Sequence, residues 1–356
     1  MKKAVVIAAL ALLSEGANAA TIYNTDGNKL DLYGSIRGRH YFSQKTSQDG
    51  DFTYMRIGFK GQTKINDAIT GYGQWEYQAQ ANKAESEGNS SDRTRLGFAG
   101  LNFGRWGSID YGRSYGVYYD LAAITDLAPI YDILTDSNVD NFLTGRGNNL
   151  LTYRNKNGFG LSDKVIVALQ YQGANGVGEN NSSRSAYAAN GDGYGASLEW
   201  DVTDDFALLA AGASSKRTAQ QNALALGDGQ RADIWGVGFK YTPGAFYLAA
   251  KYAQASNMTL ISGYGFANKT QNFEVYSQYS FANGIVPSLG YFVSKGQDIE
   301  GYGDVDLLKY VDASLRYYFN KNMSVYGDYR INLLDKNTPF GILTDDTVGL
   351  GITYQF

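Results

Sequence analysis

Apolar and polar positions alternate along this chain with a period of two. From Leu30 onward, Leu30, Leu32, Gly34, Ile36, Gly38, His40 and Phe42 share one face, while Asp31, Tyr33, Ser35, Arg37, Arg39 and Tyr41 share the other. The same division separates Val311, Ala313, Leu315, Tyr317 and Phe319 from Asp312, Ser314, Arg316 and Tyr318. It recurs at the C-terminus, where Val348, Leu350, Ile352, Tyr354 and Phe356 oppose Gly349, Gly351, Thr353 and Gln355. Such segments are strands with one apolar and one wettable face. A soluble sandwich alternates in the same way, so alternation alone leaves sandwich and barrel both open.

The connections narrow the choice. Very short turns centred on Asn66-Asp67, Gly104-Arg105, Thr203-Asp204, Pro243-Gly244, Asn283-Gly284 and Asn320-Lys321 are rich in turn-forming residues. They alternate with long polar stretches at residues 82–91, 174–190, 215–229, 256–269 and 333–345. Short turns at one end and long loops at the other are the asymmetry of outer-membrane barrels, and the count between them is about sixteen strands, enough to leave an aqueous lumen. Aromatic residues gather near strand ends, as in Tyr41-Phe42, Trp75 with Tyr77 and Tyr317-Tyr318-Phe319, where rings suit a membrane boundary. The predicted fold is therefore all-β, a transmembrane antiparallel barrel.

Composition supports this. Lys2 and Lys3, the apolar run from Ala4 to Leu13 and the small-x-small Ala17-Asn18-Ala19 form a secretory signal peptide spanning residues 1–19, which leaves residues 20–356 as the barrel. Its removal takes the net charge from −4 to −5. No mature segment approaches the roughly 20 apolar residues of a membrane-crossing helix, so entry into a bilayer requires strands, and strands require closure. A mildly acidic chain without a long Lys/Arg run argues against nucleic acid as a partner. With no cysteine and one histidine, thiolate chemistry and metal-site patterns are lacking, and no cofactor is expected. His40 falls on the outward face, at a subunit contact or lipid boundary. The run Asn190-Gly191-Asp192-Gly193-Tyr194-Gly195 lacks the helix and lysine of a phosphate cradle. Nothing here predicts an enzyme.

One connection is too long for a plain turn. About thirty residues separate the strand ending near Arg113-Ser114 from the one restarting near Asn148, and they carry Asp120, Asp126, Asp132, Asp136 and Asp140 with Tyr118, Tyr119 and Tyr131. The segment is either a solvated external loop or one folded into the lumen as a constriction.

Six stretches follow one another along the chain: Asp26 to Gly34, Thr70 to Tyr77, Asp110-Tyr111-Gly112-Arg113, Gly265 to Gln271, Gly303-Asp304-Val305-Asp306 and the terminal Tyr354-Gln355-Phe356. Through them the chain resembles the trimeric general-diffusion porins of enterobacteria over nearly its full mature length. Each is weak alone, and their joint order is specific. The resemblance implies sixteen strands, a homotrimer, and a third loop bent inward to form an eyelet for small polar solutes and ions. It also implies contact with outer-membrane lipids and lipopolysaccharide, and recognition by the barrel-insertion machinery through Phe356. Carried over by position, the wall cluster is Arg56, Arg95 and Arg146, with Arg93 where many relatives have lysine. The loop acid is Asp126, and Glu76 matches a lumen-facing glutamate. Parity agrees: Arg56 opposes Ile57 and Phe59, and Arg93 and Arg95 oppose Thr94, Leu96 and Phe98. An arginine on the lipid face near mid-membrane would cost about 2 to 4 kcal/mol.

The chain departs from the family in its third loop. Where Pro-Glu-Phe-Gly-Gly is usual, Pro129-Ile130-Tyr131-Asp132-Ile133 stands, so Ile130 replaces the loop glutamate, Asp132 offers a nearby carboxylate, and two permissive glycines are lost. A family lysine early in the first strand is Ser35, while Arg37 and Arg39 share its face. Arg37, Arg56, Arg93, Arg95, Arg146, Glu76, Asp126 and Asp132 are thus the candidate constriction. The net charge and loop aspartates point to a modest cation preference, against the pull of the arginines. A substrate-specific channel using Tyr118, Tyr119 and Tyr131 is the alternative function.

Overall fold

The computed structural model describes residues 19–87, 91–130, 134–176 and 184–356. Apart from Ala19, the expected signal peptide lies outside them, as does Asp132. Sixteen strands make the barrel: β1 (Asn28–Ser43), β2 (Tyr54–Lys64), β3 (Thr70–Gln80), β4 (Arg93–Asn102), β5 (Ser108–Tyr115), β6 (Arg146–Asn155), β7 (Val165–Gln172) and β8 (Gly193–Asp201), followed by β9 (Phe206–Lys216), β10 (Arg231–Tyr241), β11 (Phe246–Ser256), β12 (Lys269–Tyr279), β13 (Ile285–Ile299), β14 (Gly303–Tyr318), β15 (Met323–Asn332) and β16 (Thr347–Gln355). Each pairs antiparallel with its neighbours in sequence, and β16 returns to pair with β1 from Ser35↔Gln355 to Ser43↔Thr347. The sheet closes on itself and leaves no edge.

The closing seam has two parts. A short strand, Ala20–Thr25, folds back on β1 through Asp26-Gly27 and pairs Ala20 with Leu32. Both turn residues have positive φ (52° and 77°), the type I′ geometry that suits a two-residue hairpin and that glycine adopts freely. Just beyond, Gly34 and Phe356 exchange two backbone hydrogen bonds of 3.0 Å. The N-terminal segment therefore continues the line of β16 along β1.

Parity sorts the two faces as the alternation predicts. Ile36, Phe42, Leu315, Leu350 and Ile352 stand exposed on the outer surface, while Tyr33, Ser35, Tyr41, Asp312 and Thr353 turn inward and are buried. Exposed rings, including Tyr241, Tyr279, Phe281, Tyr317 and Phe319, ring the end with the short turns, and Phe42, Tyr171, Tyr194 and Tyr329 lie toward the other. At the end with the long loops one connection is short: β13 and β14 run 15 and 16 residues and meet through residues 300–302.

The inner wall is not wet everywhere. On β9 to β11, Ala207, Leu209, Ala211, Ala213, Ala232, Ile234, Ala249, Ala253 and Ala255 point inward and are buried. They form the principal apolar core together with Val117, Tyr118, Leu121, Ala122, Ile124, Phe142 and Leu143 of the segment between β5 and β6. That segment lies inside the barrel.

Candidate functional site

Three guanidinium groups converge on one ring. Inward positions of β1 and β2 bring Arg37, Arg39 and Arg56 to within 5.9, 5.0 and 4.9 Å of the centre of the Tyr54 ring. Arg56 Nε donates to Gln78 Oε1 (2.9 Å), and Arg39 donates to the Tyr41 hydroxyl (3.4 Å) and to the Pro129 carbonyl (3.3 Å). Other cations rest on rings in the same manner: Arg146 at 5.6 Å from Tyr115, Arg316 at 5.6 Å from both Tyr318 and Tyr326, and Lys60 at 5.0 Å from Tyr33. A cation over an aromatic face gains about 0.5 to 2 kcal/mol depending on exposure, which helps hold like charges on one wall.

Arg95 reaches the lumen through a bulge. The β3–β4 register runs Gln78↔Arg93 and Tyr77↔Thr94, then resumes at Glu76↔Leu96, so Arg95 is the extra residue. A bulge re-aims side chains, and here Arg95 and Leu96 both face inward, with Phe98 following on the inner side. The parity expected for Leu96 and Phe98 is thus reversed, whereas Arg95 points inward as expected. Arg95 Nε meets Glu76 Oε1 at 2.5 Å with both side chains nearly sealed from solvent, and the Tyr33 hydroxyl donates to the other Glu76 oxygen at 3.1 Å. Arg93 is exposed at the start of β4 and donates to the Ser91 carbonyl.

The segment from residue 116 to 145 is anchored along the wall opposite. It opens with a single helical turn, α1 (Tyr119–Ala122). Leu121 and Ile124 settle over glycines of β10: a Cβ on Gly238 would stand 2.9 Å from Leu121 and 3.0 Å from Ile124, and one on Gly236 would stand 2.8 Å from Leu121. The Tyr247 hydroxyl donates to the Ile124 carbonyl (2.7 Å). Lys251 Nζ reaches Asp136 (2.6 Å) and Glu274 (3.2 Å), Glu274 accepts from the Thr135 backbone and hydroxyl (2.7 Å each) and from the Thr125 hydroxyl, and Tyr118 donates to Asp136 (2.6 Å). Burial and the neighbouring Asp136 raise the Tyr118 hydroxyl well above its usual range, so it remains a donor. On the return limb, Phe142 and Leu143 are fully buried with φ of 58° and 61°, a left-handed conformation that such residues hold only when packing fixes it.

The aspartates of this loop have separate fates. Asp120 is gripped by both terminal nitrogens of Arg154 (2.8 and 3.0 Å) and by Ser197, Asp136 by Lys251, and Asp140 by Arg113 (2.6 Å). Asp126 lines the opening and accepts from the Tyr119 hydroxyl, which burial and that carboxylate push far above its ordinary range. Ile130, in the place of the usual glutamate, is buried against Tyr41 and Tyr326, and its N–H donates to Asp328 Oδ2 (3.1 Å). Ile130 is thus held by apolar packing and one buried backbone bond, and Tyr131, Asp132 and Ile133 lie outside the described residues. Tyr118 is sealed beneath α1, so it contributes nothing to a track along the pore.

Of the candidate residues, Arg37, Arg56, Arg95, Arg146, Glu76 and Asp126 line one cavity of about 520 Å3, which Arg39, Lys60 and Arg316 join. Parity had already put Arg39 and Arg316 inward; the aromatic partners and the Lys251 anchor left no mark in local sequence. Toward the short turns a second space of about 650 Å3 carries Asp31, Asp110 and Asp120 with Lys60, Arg154 and Lys156. Charged side chains of the wall and Asp126 of the segment between β5 and β6 thus share one water-accessible space.

Comparison with known proteins agrees with this architecture. A sequence profile of the family described as Gram-negative porin matches residues 25–356. The chain is 53% identical to outer membrane porin C of Enterobacter cloacae subsp. cloacae over 353 residues, covering 97% of this chain and 96% of that protein. It is 52% identical to outer membrane protein F of Serratia marcescens over 372 residues, covering 99% and 98%. The solved structure of Salmonella typhi OmpF in complex with daunomycin superposes with a TM-score of 0.87 at 46% identity, over 95% of this chain and 100% of that one.

Proposed function

The chain belongs to the Gram-negative porin family, and on that premise we propose that its passage is set by an eyelet between the third loop and the arginine wall. The protein is a multi-pass β-barrel of the outer membrane that works as a general porin, a passive channel and not an enzyme. Within it, Arg37, Arg56, Arg95 and Arg146 on the wall and Asp126 on the loop flank the narrowest water path, with Arg93 at its rim and Glu76 holding Arg95 in place. Asp132 belongs to the proposal as a second loop carboxylate, on its sequence position alone.

The observation that carries this reading is the sealed anchor of the loop, Lys251 between Asp136 and Glu274. A loop fastened by buried charge on one side presents its other side, and Asp126 with it, to the cations across the lumen. A low-dielectric wall concentrates the field across such an opening. Polar solutes align in it, and apolar ones must displace ordered water. Passage stays fast because nothing binds tightly. We further propose the homotrimer, the contacts with outer-membrane lipids and lipopolysaccharide, and the insertion signal at Phe356 that the family resemblance implies.

The chain has no cysteine, so a single introduced thiol reports on its own position. Asp126→Cys, reacted with a bulky sulfonate-bearing thiol reagent in a planar bilayer, is expected to cut single-channel conductance by more than half. Labelling without any change of conductance would place Asp126 away from the eyelet. Swelling of proteoliposomes in neutral sugars should depend on solute size and be alike for isomers of equal mass; selective, saturable uptake of one isomer would favour a substrate-specific channel.

A further inference from the structure

We propose that the neighbouring short turns β4–β5 and β6–β7 form a pad that binds a phospholipid of the periplasmic leaflet, with Trp106, Phe159 and Leu161 set into the acyl boundary and Arg105 and Lys164 on the phosphate. The pad rests on the lipid contacts put forward above, which it narrows to one leaflet and one site, and it is independent of the eyelet. Short turns face the periplasm in barrels of this class. Residues 103–107 and 156–164, which make these two, carry three cations and a single acid, Asp163. Lys156 lines the lumen, whereas Arg105 and Lys164 are exposed. The other five short turns, at residues 65–69, 202–205, 242–245, 280–284 and 319–322, carry three acids and one cation, Lys321. The basic charge of the turns is thus gathered at one place.

One buried amide joins the two turns. Asn155, at the end of β6 and fully buried, donates to the Arg105 carbonyl (3.0 Å) and accepts from the backbone N–H groups of Asn157 and Phe159 (3.2 and 2.8 Å). The Tyr153 hydroxyl donates to the Trp106 carbonyl (2.7 Å). On this base Phe159 stands between Gly158 and Gly160 with a φ of 62°, a left-handed backbone that glycine adopts at less cost. Its ring stacks on Tyr153 at 6.4 Å, and Tyr153 shares the outer wall with Ile109 and Leu151. Leu161 is 90% exposed, Trp106 57% and Phe159 48%. These side chains continue the lipid-facing wall past the strand ends, so the lipid that covers the wall meets the pad as well. Rings suit that depth, where an apolar body and a polar edge are both satisfied. Arg105 lies 4.8 Å from the Trp106 ring centre, which sets a guanidinium beside an apolar surface as a lipid sets its phosphate beside its acyl chains. Cations at such a boundary pair with lipid phosphate.

The test uses the full-length protein in bilayers, with Trp75, Trp200 and Trp235 changed to Phe so that Trp106 reports alone. Phospholipids brominated at the top of the acyl chain should quench it more than those brominated near the chain end. An indole that acrylamide reaches from water and brominated lipid does not overturns the proposal and points to a soluble partner. One closed to both quenchers overturns it in favour of contact between copies of the chain. A protein with Trp235 alone, exposed on the outer wall, is the control: absence of lipid quenching there would remove the lipid-facing wall itself, whereas quenching at Trp235 without any at Trp106 fails the pad only. Arg105→Gln with Lys164→Gln should weaken retention of phosphatidylglycerol, read by native mass spectrometry, by about fivefold or more; unchanged retention removes the phosphate contact. Phe159→Gly keeps the backbone of the turn and should lower that retention with the thermal midpoint in detergent unmoved. A midpoint that falls while retention holds makes Phe159 a packing residue and overturns its place in the pad.

Discussion

Lys251 on the inner wall and Asp136 on the third loop meet at 2.6 Å, with 1% and 0% of their side chains open to solvent. The same ammonium lies 3.2 Å from Glu274, which holds Thr125 and Thr135 of that loop. Removing the lysine would leave two buried carboxylates together.

Lys251→Met is therefore expected to release the loop without dissolving the barrel. Loss of one partner of a buried ion pair costs about 3 to 5 kcal/mol, charged here to the anchor. Single-channel recordings should show larger and noisier open current. A conductance trace like that of the unmodified protein would mean that apolar packing of α1 suffices.

Gly238→Val tests that packing directly. The added side chain would press on the Ala250 carbonyl of β11 at 2.8 Å and overlap Leu121 and Ile124, an overpacking worth about 1 to 3 kcal/mol shared between a local spreading of β10 from β11 and a shift of α1 into the lumen. Conductance should fall and the sugar size limit shrink. Gly244→Val, in a turn where a Cβ meets nothing but the backbone has a φ of 64°, should lower stability with no change in pore size.

Arg95 and Glu76 form the other sealed pair. Arg95→Gln should lower the thermal unfolding midpoint of the detergent-solubilised barrel, and Arg95→Gln with Glu76→Gln should recover most of the loss, because no uncompensated charge remains. Additive losses in the double variant would assign the effect to packing instead.

Neutralising Asp126 and Asp132 together, by Asp126→Asn and Asp132→Asn, should lower the cation-to-anion permeability ratio. Reversal potential in a salt gradient measures this. An unchanged potential would remove both carboxylates from the eyelet.

The two faces of β1 and β16 were legible because lipid and water differ, and a period of two records the difference. β9 was not. Ala207, Leu209, Ala211 and Ala213 point inward and are as apolar as the exposed Leu208 on the outer side, since lipid covers one face and the third loop the other. The parity of Leu96 and Phe98 misleads for a different reason: counting by twos assumes an unbroken ladder, and the bulge at Arg95 breaks it. Charge in the loop was visible as composition but not as direction. Whether an aspartate faces the lumen is decided by Arg154, Lys251 or Arg113. In the sequence Ile130 stands out by the carboxylate it lacks, whereas its contribution is apolar contact with Tyr41 and Tyr326.

The seam on β1 sets a condition on biogenesis. The strand near the start of the chain finds its second neighbour only in the strand at its end, so a polypeptide cut short before β16 leaves two open edges. Open edges are not tolerated in hydrocarbon, and until the last strand arrives the sheet cannot become a wall. Closure thus makes the wall conditional on chain length: a product that stops before β16 cannot satisfy both edges within hydrocarbon.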